Sequence, residues 1–165
     1  MMFKNGKKLA RKRKGIILAA GTGSRLFPIS RGISKHLLPV YDKPCIYYPL
    51  STLMLGGITE ILVIVNASDL TSYERLLGSG EQWGIRIKFA VQLKPRGIAD
   101  AFLIAEEFIG NDPIALILGD NIFYGDELTN ILIDINSTCS DALVFAYPVS
   151  DPENYGTIDL DDLAN

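Results

Sequence analysis

The sequence predicts an α/β protein in which helices flank a mostly parallel sheet. Apolar runs alternate with helix-like segments, the apolar runs are continuous, and glycine-rich or polar segments follow several of them. Strands covered by helices on both faces need such continuous apolar runs. The length of 165 residues suits one domain, and a hydrophobic content of 48% excludes a disordered chain.

Apolar runs predict strands over residues 15–20, 60–66, 86–91, 114–118 and 142–147. The segments between them predict helices over residues 44–55, 69–77, 98–109 and 126–136. Pro44 is expected in the first turn of its helix, where a missing N–H costs nothing. The helix over 98–109 is expected to bury one apolar face, made of Ala101, Phe102, Ala105, Phe108 and Ile109.

The net charge of −3 hides an uneven distribution. Seven of the 16 lysines and arginines lie in residues 1–14, which contain no acid, so the rest of the chain has nine basic and 19 acidic residues. We therefore expect a basic, disordered tail over 1–13 and one domain over 14–165. The acidic body argues against a nucleic-acid-binding face, although the tail alone could contact nucleic acid or anionic lipid.

Other classes are excluded by missing patterns. The basic tail resembles the start of a secretion signal, but the apolar run behind it is shorter than the roughly 7–15 residues required. No stretch approaches the roughly 20 apolar residues of a membrane span, so we expect no membrane partner. Cys45 and Cys139 have no metal or redox spacing, which predicts reduced thiols in a cytoplasmic protein.

A glycine-rich loop follows the first predicted strand and reads Gly21-Thr22-Gly23-Ser24-Arg25. Its two glycines let backbone N–H groups surround an anion, and the arginine adds a charge that matches phosphate. A dinucleotide fingerprint is disfavoured because Leu26 stands where the third glycine belongs and Pro28 follows closely. A Walker-type loop is absent from the sequence. A tight turn without a ligand remains the alternative.

Three polar segments follow predicted strands: residues 21–25, 92–97 and 119–121. The carboxyl ends of parallel strands meet at one edge of a sheet, where open parallel sheets bind ligands. The sequence therefore predicts one ligand site at this edge.

Charged residues near that edge predict a triphosphate site. A carboxylate at Asp120 would repel phosphates unless a cation such as Mg²⁺ lay between them; the alternative is a local cap or Asx-turn. Arg25, Arg31 and Lys35 could clamp a triphosphate, although Arg31 could simply be solvated. His36 has no partner for a catalytic triad and is expected to be a polar loop residue.

The segment after the third predicted strand suggests how a base could be held. The amide of Gln92 can both donate and accept hydrogen bonds, as reading the edge of a nucleobase requires. Gly97 would let the backbone approach a flat ring. This signal is weak because many loops contain Gln and Gly.

At this point residues 14 to about 160 resemble the sugar-1-phosphate nucleotidylyltransferases, and among them those that transfer a thymidylyl group. The resemblance rests on GIILAAGTGSRL, SKHLLPVYDKPCIYYPLSTLMLGGI, LGDNIFYG, the element from Gln92 to Phe102 and the turn over 151–156. It implies a Rossmann-like, nucleotide-diphospho-sugar transferase fold. It also implies that Mg²⁺ is required and that dTTP and glucose 1-phosphate give dTDP-glucose and pyrophosphate, in the supply of sugars such as dTDP-rhamnose. Family members are usually homo-oligomeric.

The resemblance also implies roles for individual residues. The residues expected to be catalytic are Arg25, Lys35 and Asp120, and Asp120 would also bind the metal. The nucleotide is expected to contact Leu18, Ala20, Gly21, Thr22, Gly23, Ser24, Arg25, Lys35, His36, Gln92, Gly97 and Asp120. The sugar is expected to contact Asn121 and Gly156. A phosphate oxygen of the sugar would attack the α-phosphorus in line, so positioning and charge neutralisation would carry the reaction.

Some positions depart from the family pattern. Ala20 stands where the thymidylyl enzymes commonly have glycine, His36 replaces a glutamine and Arg96 replaces an acid. Family members continue well past the end of this sequence, with a sugar-binding Glu-Lys pair and a second metal aspartate. We therefore expect a C-terminally incomplete domain with little or no full activity alone. A UTP-using enzyme and a nucleotide-binding remnant without full activity remain the alternatives.

Overall fold

The computed structural model describes residues 12–94, 96–138, 142–151, 153 and 155–158. Its strands are β1 (Lys14–Ala19), β2 (Pro39–Val40), β3 (Lys43–Pro44), β4 (Glu60–Asn66), β5 (Arg86–Gln92) and β6 (Ile114–Leu118). Four of them form a sheet in the order β5-β4-β1-β6, and every neighbouring pair is parallel. The predicted parallel sheet is confirmed. Strands β2 and β3 form a separate antiparallel ribbon that the sequence patterns did not predict.

The register of the sheet brings the predicted site segments to one level. Ala19 of β1 pairs with Val65, Val65 pairs with Val91, and Asn66 is level with Gln92. On the other side, Leu18 pairs with Leu118, and the N–H of Gly119 donates to the carbonyl of Leu18 at 2.9 Å. The chain therefore leaves β1, β4, β5 and β6 at the same edge of the sheet. We call this edge the rim.

Helices cover both faces of the sheet. They are α1 (Tyr47–Leu55), α2 (Leu70–Leu77), α3 (Ala99–Ile104), α4 (Glu106–Ile109) and α5 (Leu128–Thr138). Successive residues of a strand point to opposite faces, so Val63 lies in the core cluster that contains residues of α1 and α2, whereas Leu62 lies in the cluster that contains Ala101 of α3. Burial on both faces explains the continuous apolar run of β4.

Three local predictions need correction. Pro44 lies in β3 and not in the first turn of a helix, because it is paired with Pro39 of β2 in the antiparallel ribbon. The helix predicted over 98–109 is interrupted at Ala105, which separates α3 from α4. Ala105 and Ala101 are fully buried as predicted, but Phe102 is 41% exposed. The close packing of small alanines against the sheet leaves the neighbouring Phe102 ring at the surface.

The strand predicted over residues 142–147 is wrong. These residues are described but form no strand, and their backbone makes no hydrogen bond to the backbone of another described residue. Leu143, Val144 and Tyr147 are exposed. A strand needs a neighbouring backbone as well as apolar side chains, and none of the described strands pairs with this segment.

Other predictions concern the ends of the chain and membranes. Residues 1–11 of the predicted basic tail, together with Cys139 and Pro95, lie outside the described residues. Cys45 is described and is a buried, free thiol, as predicted. None of the helices in the described ranges is long and apolar enough to cross a membrane.

Candidate functional site

The glycine-rich loop connects β1 to a 3₁₀-helix over Ser24–Leu26. Gly23 has a φ of +64°, a left-handed conformation that side chains other than glycine rarely adopt. The hydroxyl of Ser30 donates to the carbonyl of Gly23 at 2.6 Å, and the N–H of Leu26 donates to the same carbonyl at 2.9 Å. The loop therefore holds a tight turn directly at the rim, as predicted.

Lys35 lies across this loop. A Cβ at Gly21 would be 3.3 Å from Cε of Lys35 and 3.6 Å from its Nζ, and a Cβ at Gly23 would be 3.2 Å from its Cβ. The missing side chains of the two glycines thus leave the space that the lysine stem occupies. Larger residues at either position would displace the lysine from the loop.

The ammonium group of Lys35 joins the loop to the end of β6. Its Nζ donates to Oδ2 of Asp120 at 2.5 Å, although the two residues are 85 positions apart. The side chain of Lys35 is 25% exposed and that of Asp120 is 41% exposed, so the ion pair remains accessible from solvent. The predicted meeting of the glycine loop, Lys35 and Asp120 at one edge is therefore confirmed.

The electrostatics of Asp120 follow from this pairing. Partial burial raises the pKa of its carboxyl group, but the hydrogen bond and the positive charge of Lys35 outweigh burial and lower the pKa below its ordinary value. Asp120 is therefore ionised at neutral pH and available as an oxygen ligand. Arg25 adds positive charge to the rim: it is exposed, and its side chain makes no ion pair or hydrogen bond to the described part of the chain.

His36 lies beneath the pair and is only 2% exposed. A Cβ at Gly119 would be 2.8 Å from its Cδ2 atom, so the ring packs directly under the segment that carries Asp120. Its Nδ1 lies 3.2 Å from the hydroxyl oxygens of both Ser34 and Tyr73. Burial, followed by the positive charge of Lys35, lowers the pKa of His36 to about 4, so the ring is neutral at pH 7.

Backbone contacts hold the segment that carries Lys35 and His36. The N–H of Ile46 donates to the carbonyl of His36 at 2.8 Å, and the N–H of Cys45 donates to the carbonyl of Leu38 at 3.0 Å. The Cys45 thiol also donates to the carbonyl of Gly119 at 3.7 Å. The chain from the glycine loop to this segment contains three short 3₁₀-helices, Ser24–Leu26, Ile29–Arg31 and Lys35–Leu37.

The predicted base-reading segment lies at the edge strand of the sheet. Gln92 ends β5 and is buried, and its Nε2 donates to Oδ2 of Asp100 at 2.8 Å. Gly97 has a φ of +88°, and apart from its chain neighbours no residue in the described ranges lies within 4 Å of the position of its Cβ. Gln92 therefore reaches the rim as predicted, but its amide orientation is set by Asp100, which the sequence did not single out.

The remaining predicted site residues have different surroundings. Leu18, in β1, is half-buried, and Ala20, directly after β1, is buried. Thr22 and Ser24 are exposed on the loop. Gly156 is exposed, and apart from its chain neighbours no described residue lies within 4 Å of the position of its Cβ. No described contact joins Gly156 to Lys35 or Asp120.

A cavity of about 560 Å³ opens beside Asp120. It is lined by residues 120–124, which include Asn121, and by residues 145–147. The rings of Phe123 and Phe145 meet edge to face, with centroids 5.5 Å apart, and join its two walls. The described part of the chain also has a cavity of about 480 Å³ near Glu60 and Arg86, at the opposite edge of the sheet. Only the first cavity adjoins the carboxyl ends of the strands, where open parallel sheets bind ligands.

The residues at the rim could hold a metal only together with a ligand. The described residues contain no group of three or more His, Cys, Asp or Glu side chains arranged to bind a metal ion. Asp120 supplies one carboxylate. Mg²⁺ is commonly bound by one or two carboxylates plus substrate phosphates, so Asp120 fits such a site if phosphates provide further oxygens.

Comparison with known proteins agrees with this arrangement. A family model described as nucleotidyl transferase matches residues 14–165. The chain belongs to the nucleotidyl transferase family. Two similar relatives are glucose-1-phosphate thymidylyltransferases: that of Neisseria gonorrhoeae is 57% identical over 152 residues, and that of Xanthomonas campestris pv. campestris is 53% identical over 150 residues. The alignments cover 92% and 91% of this chain, respectively.

Solved structures of nucleotidyl transferases share the fold. A crystal structure assigned as a glucose-1-phosphate thymidylyltransferase from Bacillus anthracis, in complex with sucrose, has a TM-score of 0.69 and 43% identity over 76% of this chain. A UDP-glucose pyrophosphorylase in complex with UDP-glucose has a TM-score of 0.63 and 28% identity. The chain spans about half the length of these proteins, covering 53% and 51% of the two relatives and 51% and 52% of the two structures.

Proposed function

We propose that the rim binds the triphosphate of dTTP, and that the whole protein transfers its thymidylyl group to glucose 1-phosphate, giving dTDP-glucose and pyrophosphate. The observation that carries this proposal is the position of Lys35, which lies on the glycine loop and pairs with Asp120. The site lies at the carboxyl ends of parallel strands, where open parallel sheets bind ligands. It combines the backbone of a glycine loop, which can bind anions, with a lysine and an accessible carboxylate. The names of the relatives supply the substrates.

Charge neutralisation is the main task that this site would perform. A phosphate chain that enters beside Asp120 is repelled by the carboxylate and attracted by Lys35 and Arg25. The backbone N–H groups of the glycine loop add dipoles that favour an anion. Lys35 already lies against the glycine loop and beside Asp120, so it would hold the phosphates without a large rearrangement of the loop.

We propose Mg²⁺ as the cofactor, with Asp120 as its protein ligand. When bound, the ion would neutralise phosphate charge and polarise the phosphoryl oxygens. The low pKa of Asp120 keeps the carboxylate ionised, and its exposed fraction of 41% leaves it accessible to the ion. The ion would then share with Lys35 the neutralisation of Asp120.

The reaction needs no covalent intermediate on the protein. A phosphate oxygen of the sugar phosphate would attack the α-phosphorus in line, and pyrophosphate would leave. The groups described at the rim are suited to this direct transfer, since Lys35 and Arg25 would neutralise phosphate charge and Asp120 would hold the metal ion. Their part would be to bind, orient and neutralise.

The acceptor sugar would occupy the cavity beside Asp120. Its volume of about 560 Å³ is ample for a hexose phosphate, and Asn121 offers an amide to sugar hydroxyls. We propose that Gly156 joins this site in the whole protein. We also propose a homo-oligomer, as the family resemblance implies, and a cytoplasmic location, as the two cysteines without metal or redox spacing predict.

A calorimetric titration of the chain tests the proposal, with dTTP, UTP and inorganic tripolyphosphate each added with and without Mg²⁺. The account predicts saturable binding of dTTP that Mg²⁺ strengthens, and weaker binding of tripolyphosphate. Equal affinities for dTTP and UTP would favour the wider class of uridylyl or thymidylyl donors. Absence of binding by all three would contradict the proposal.

A second assay separates binding from turnover. Release of pyrophosphate is followed after dTTP, glucose 1-phosphate and Mg²⁺ are added to the chain. Binding of dTTP without pyrophosphate release would support a nucleotide-binding half that needs further residues for transfer. Release without glucose 1-phosphate would contradict a sugar phosphate as the acceptor.

A further inference from the structure

Two hydroxyl groups form a closed triangle with the ring of His36. The oxygen of Ser34 lies 3.2 Å from Nδ1 of His36 and 2.9 Å from the oxygen of Tyr73, which itself lies 3.2 Å from Nδ1. All three side chains are buried. Within the described ranges, neither hydroxyl has a hydrogen-bond partner outside the triangle. The transfer reaction proposed above makes no use of Ser34 or Tyr73.

The number of protons in the triangle selects one tautomer of the ring. If Nδ1 carries no proton, Ser34 donates to Tyr73 and Tyr73 donates to Nδ1, or the order of the hydroxyls is reversed, and both protons have acceptors. If Nδ1 carries a proton, three protons share two acceptor oxygens, and one hydroxyl proton has no acceptor. Buried donors without acceptors are strongly disfavoured. The triangle therefore favours His36 with its proton on Nε2.

The opposite edge of the ring faces the rim. Its Cε1 atom lies 3.9 Å from the position of a Cβ on Gly21, and its Cδ2 atom lies 2.8 Å from that of a Cβ on Gly119. Nε2 lies between these two carbon atoms in the ring. No fully buried side-chain nitrogen or oxygen in the described residues lacks a hydrogen bond, and Nε2 has none there. Nε2 is therefore among the atoms of His36 that retain some exposure.

We propose that Ser34 and Tyr73 are positioning residues that hold His36 in the Nε2–H tautomer, so that the ring donates a hydrogen bond to a phosphate oxygen between Gly21 and Gly119. This inference rests on the proposed function, because it needs a phosphate at the rim. The neutral ring adds a directed donor beside Lys35 without adding a second positive charge next to it. A charged donor at this buried position would be repelled by Lys35.

The tautomer can be measured directly because His36 is the only histidine in the sequence. Tag-free protein labelled with ¹⁵N-histidine gives one pair of ring nitrogens in an NMR spectrum. Without any ligand at neutral pH, we expect Nδ1 to have the chemical shift of an unprotonated nitrogen and Nε2 that of a protonated one. A protonated Nδ1, or an average of the two tautomers, would overturn the inference whatever the protein binds.

Variants of the two hydroxyls test whether the triangle is the cause. Tyr73→Phe and Ser34→Ala each leave one hydroxyl on Nδ1, so each should keep the Nε2–H tautomer. The double variant S34A/Y73F should show mixed tautomers and an affinity for tripolyphosphate about tenfold lower. Tyr48→Phe is the matched control, since the Tyr48 hydroxyl donates to the carbonyl of Val40 at 2.7 Å.

The outcomes of the double variant are interpreted together with those of the wild-type protein. A folded double variant that keeps a single Nε2–H tautomer would overturn the role of Ser34 and Tyr73. If the double variant does not fold, the wild-type spectrum and the two single variants still decide the tautomer: a single variant with a protonated Nδ1 would overturn the inference.

Addition of inorganic tripolyphosphate tests the donated hydrogen bond. We expect the resonances of Nε2 and its proton to shift as the site fills, with a smaller change at Nδ1. Binding that leaves Nε2 unchanged would overturn the donor role and leave the proposed function standing. Absence of binding by tripolyphosphate and by dTTP would contradict the donor role and the proposed function together.

Discussion

The phosphate half of the rim, around Lys35 and Asp120, is joined by contacts between distant parts of the chain, whereas the half around Gln92 is joined by near neighbours. Lys35 and Asp120 are 85 positions apart and His36 and Tyr73 are 37 apart, but Gln92 and Asp100 are only eight apart. The phosphate half is thus fixed by the fold itself. The other half depends on one strand end and an exposed loop.

This difference indicates how the two halves would share recognition of the proposed nucleotide. Phosphates are common to all nucleoside triphosphates, so the preformed, charged half would supply affinity without selecting a base. Gln92, held by Asp100, is then the group that would read the base. Substitutions in the phosphate half should weaken every phosphate ligand, and those in the other half should weaken only ligands that carry a base.

The largest expected effect is that of Lys35→Ala. Loss of the lysine removes the positive charge that would attract the phosphates, and it leaves the carboxylate of Asp120 without its ion-pair partner. Affinities for dTTP and for tripolyphosphate should both fall about 100-fold in calorimetric titrations. Lys43→Ala is the control, because Lys43 pairs with Asp42 at 3.4 Å in the exposed ribbon. Unchanged affinity of the Lys35 variant for tripolyphosphate would remove the basis for a preformed phosphate half.

The second effect concerns His36 and the dependence of stability on pH. The pKa of His36 is about 4 in the folded protein and has its ordinary value of 6.5 in the unfolded chain, so the unfolded chain binds the proton first as the pH falls. The neutral ring of His36 therefore contributes its full stabilisation of the folded protein above pH 6.5, and this contribution is lost as the pH falls towards 4. Between pH 7 and pH 5 the free energy of unfolding should fall by about 2 kcal/mol through this group.

His36→Gln is the matched comparison for this pH effect. Urea unfolding of both proteins at pH 7 and pH 5 measures the change, and the variant should lack the contribution of the imidazole. Asp120 does not contribute to the change between pH 7 and pH 5, because its pKa is lowered and its own contribution to stability is lost only at lower pH. An equal decrease in both proteins would show that another group causes it.

Gly119→Ala tests the packing under Asp120. A Cβ there would lie 2.8 Å from Cδ2 of His36 and 3.0 Å from Cβ of Ala19, so the ring or the β6 end must move. We expect the free energy of unfolding to fall by about 2 kcal/mol. Gly32→Ala is the control, because its φ is negative and, in the part of the chain that the structure describes, only its chain neighbours lie within 4 Å of its Cβ position. Equal stability of the two variants would contradict the packing of His36 beneath Gly119.

The smallest effect is expected for Gln92→Ala, which tests the other half of the rim. The affinity for dTTP should fall about tenfold, while that for tripolyphosphate stays unchanged. Gln82→Ala is the control, since Gln82 donates to the carbonyl of Leu77 at 3.0 Å. If the Gln92 variant loses affinity for tripolyphosphate as well, the two halves do not divide recognition in this way.

The sequence predicts the parts of the molecule that depend on local patterns. Continuous apolar runs predict β4 and β6 with their observed bounds, because both strands are covered on two faces. Turn residues after strands predict the loop of Gly21 and Gly23 and the rim position of Asp120. The basic residues after the loop predict Lys35 as part of a triphosphate clamp, and the family resemblance gives it the same role. The structure brings these four residues together.

What the sequence does not predict depends on contacts between distant segments. Tyr73 resembles any core aromatic of a helix, and its hydroxyl contact with His36 follows only from the packing of α2 against the Lys35 segment. Asp100 gains its importance from Gln92 in the same way. The apolar pattern of residues 142–147 is typical of a strand, but pairing depends on a neighbouring backbone that the pattern does not contain.

We propose above all that Asp120 and the glycine loop, linked by Lys35, bind one phosphate chain together with Mg²⁺. The decisive experiment is a titration of dTTP into the wild-type protein and into Asp120→Asn, each with and without Mg²⁺. We expect Mg²⁺ to strengthen binding to the wild-type protein, and we expect this gain to be lost in the variant. An equal gain in both proteins, or no binding of dTTP to the wild-type protein, would contradict it.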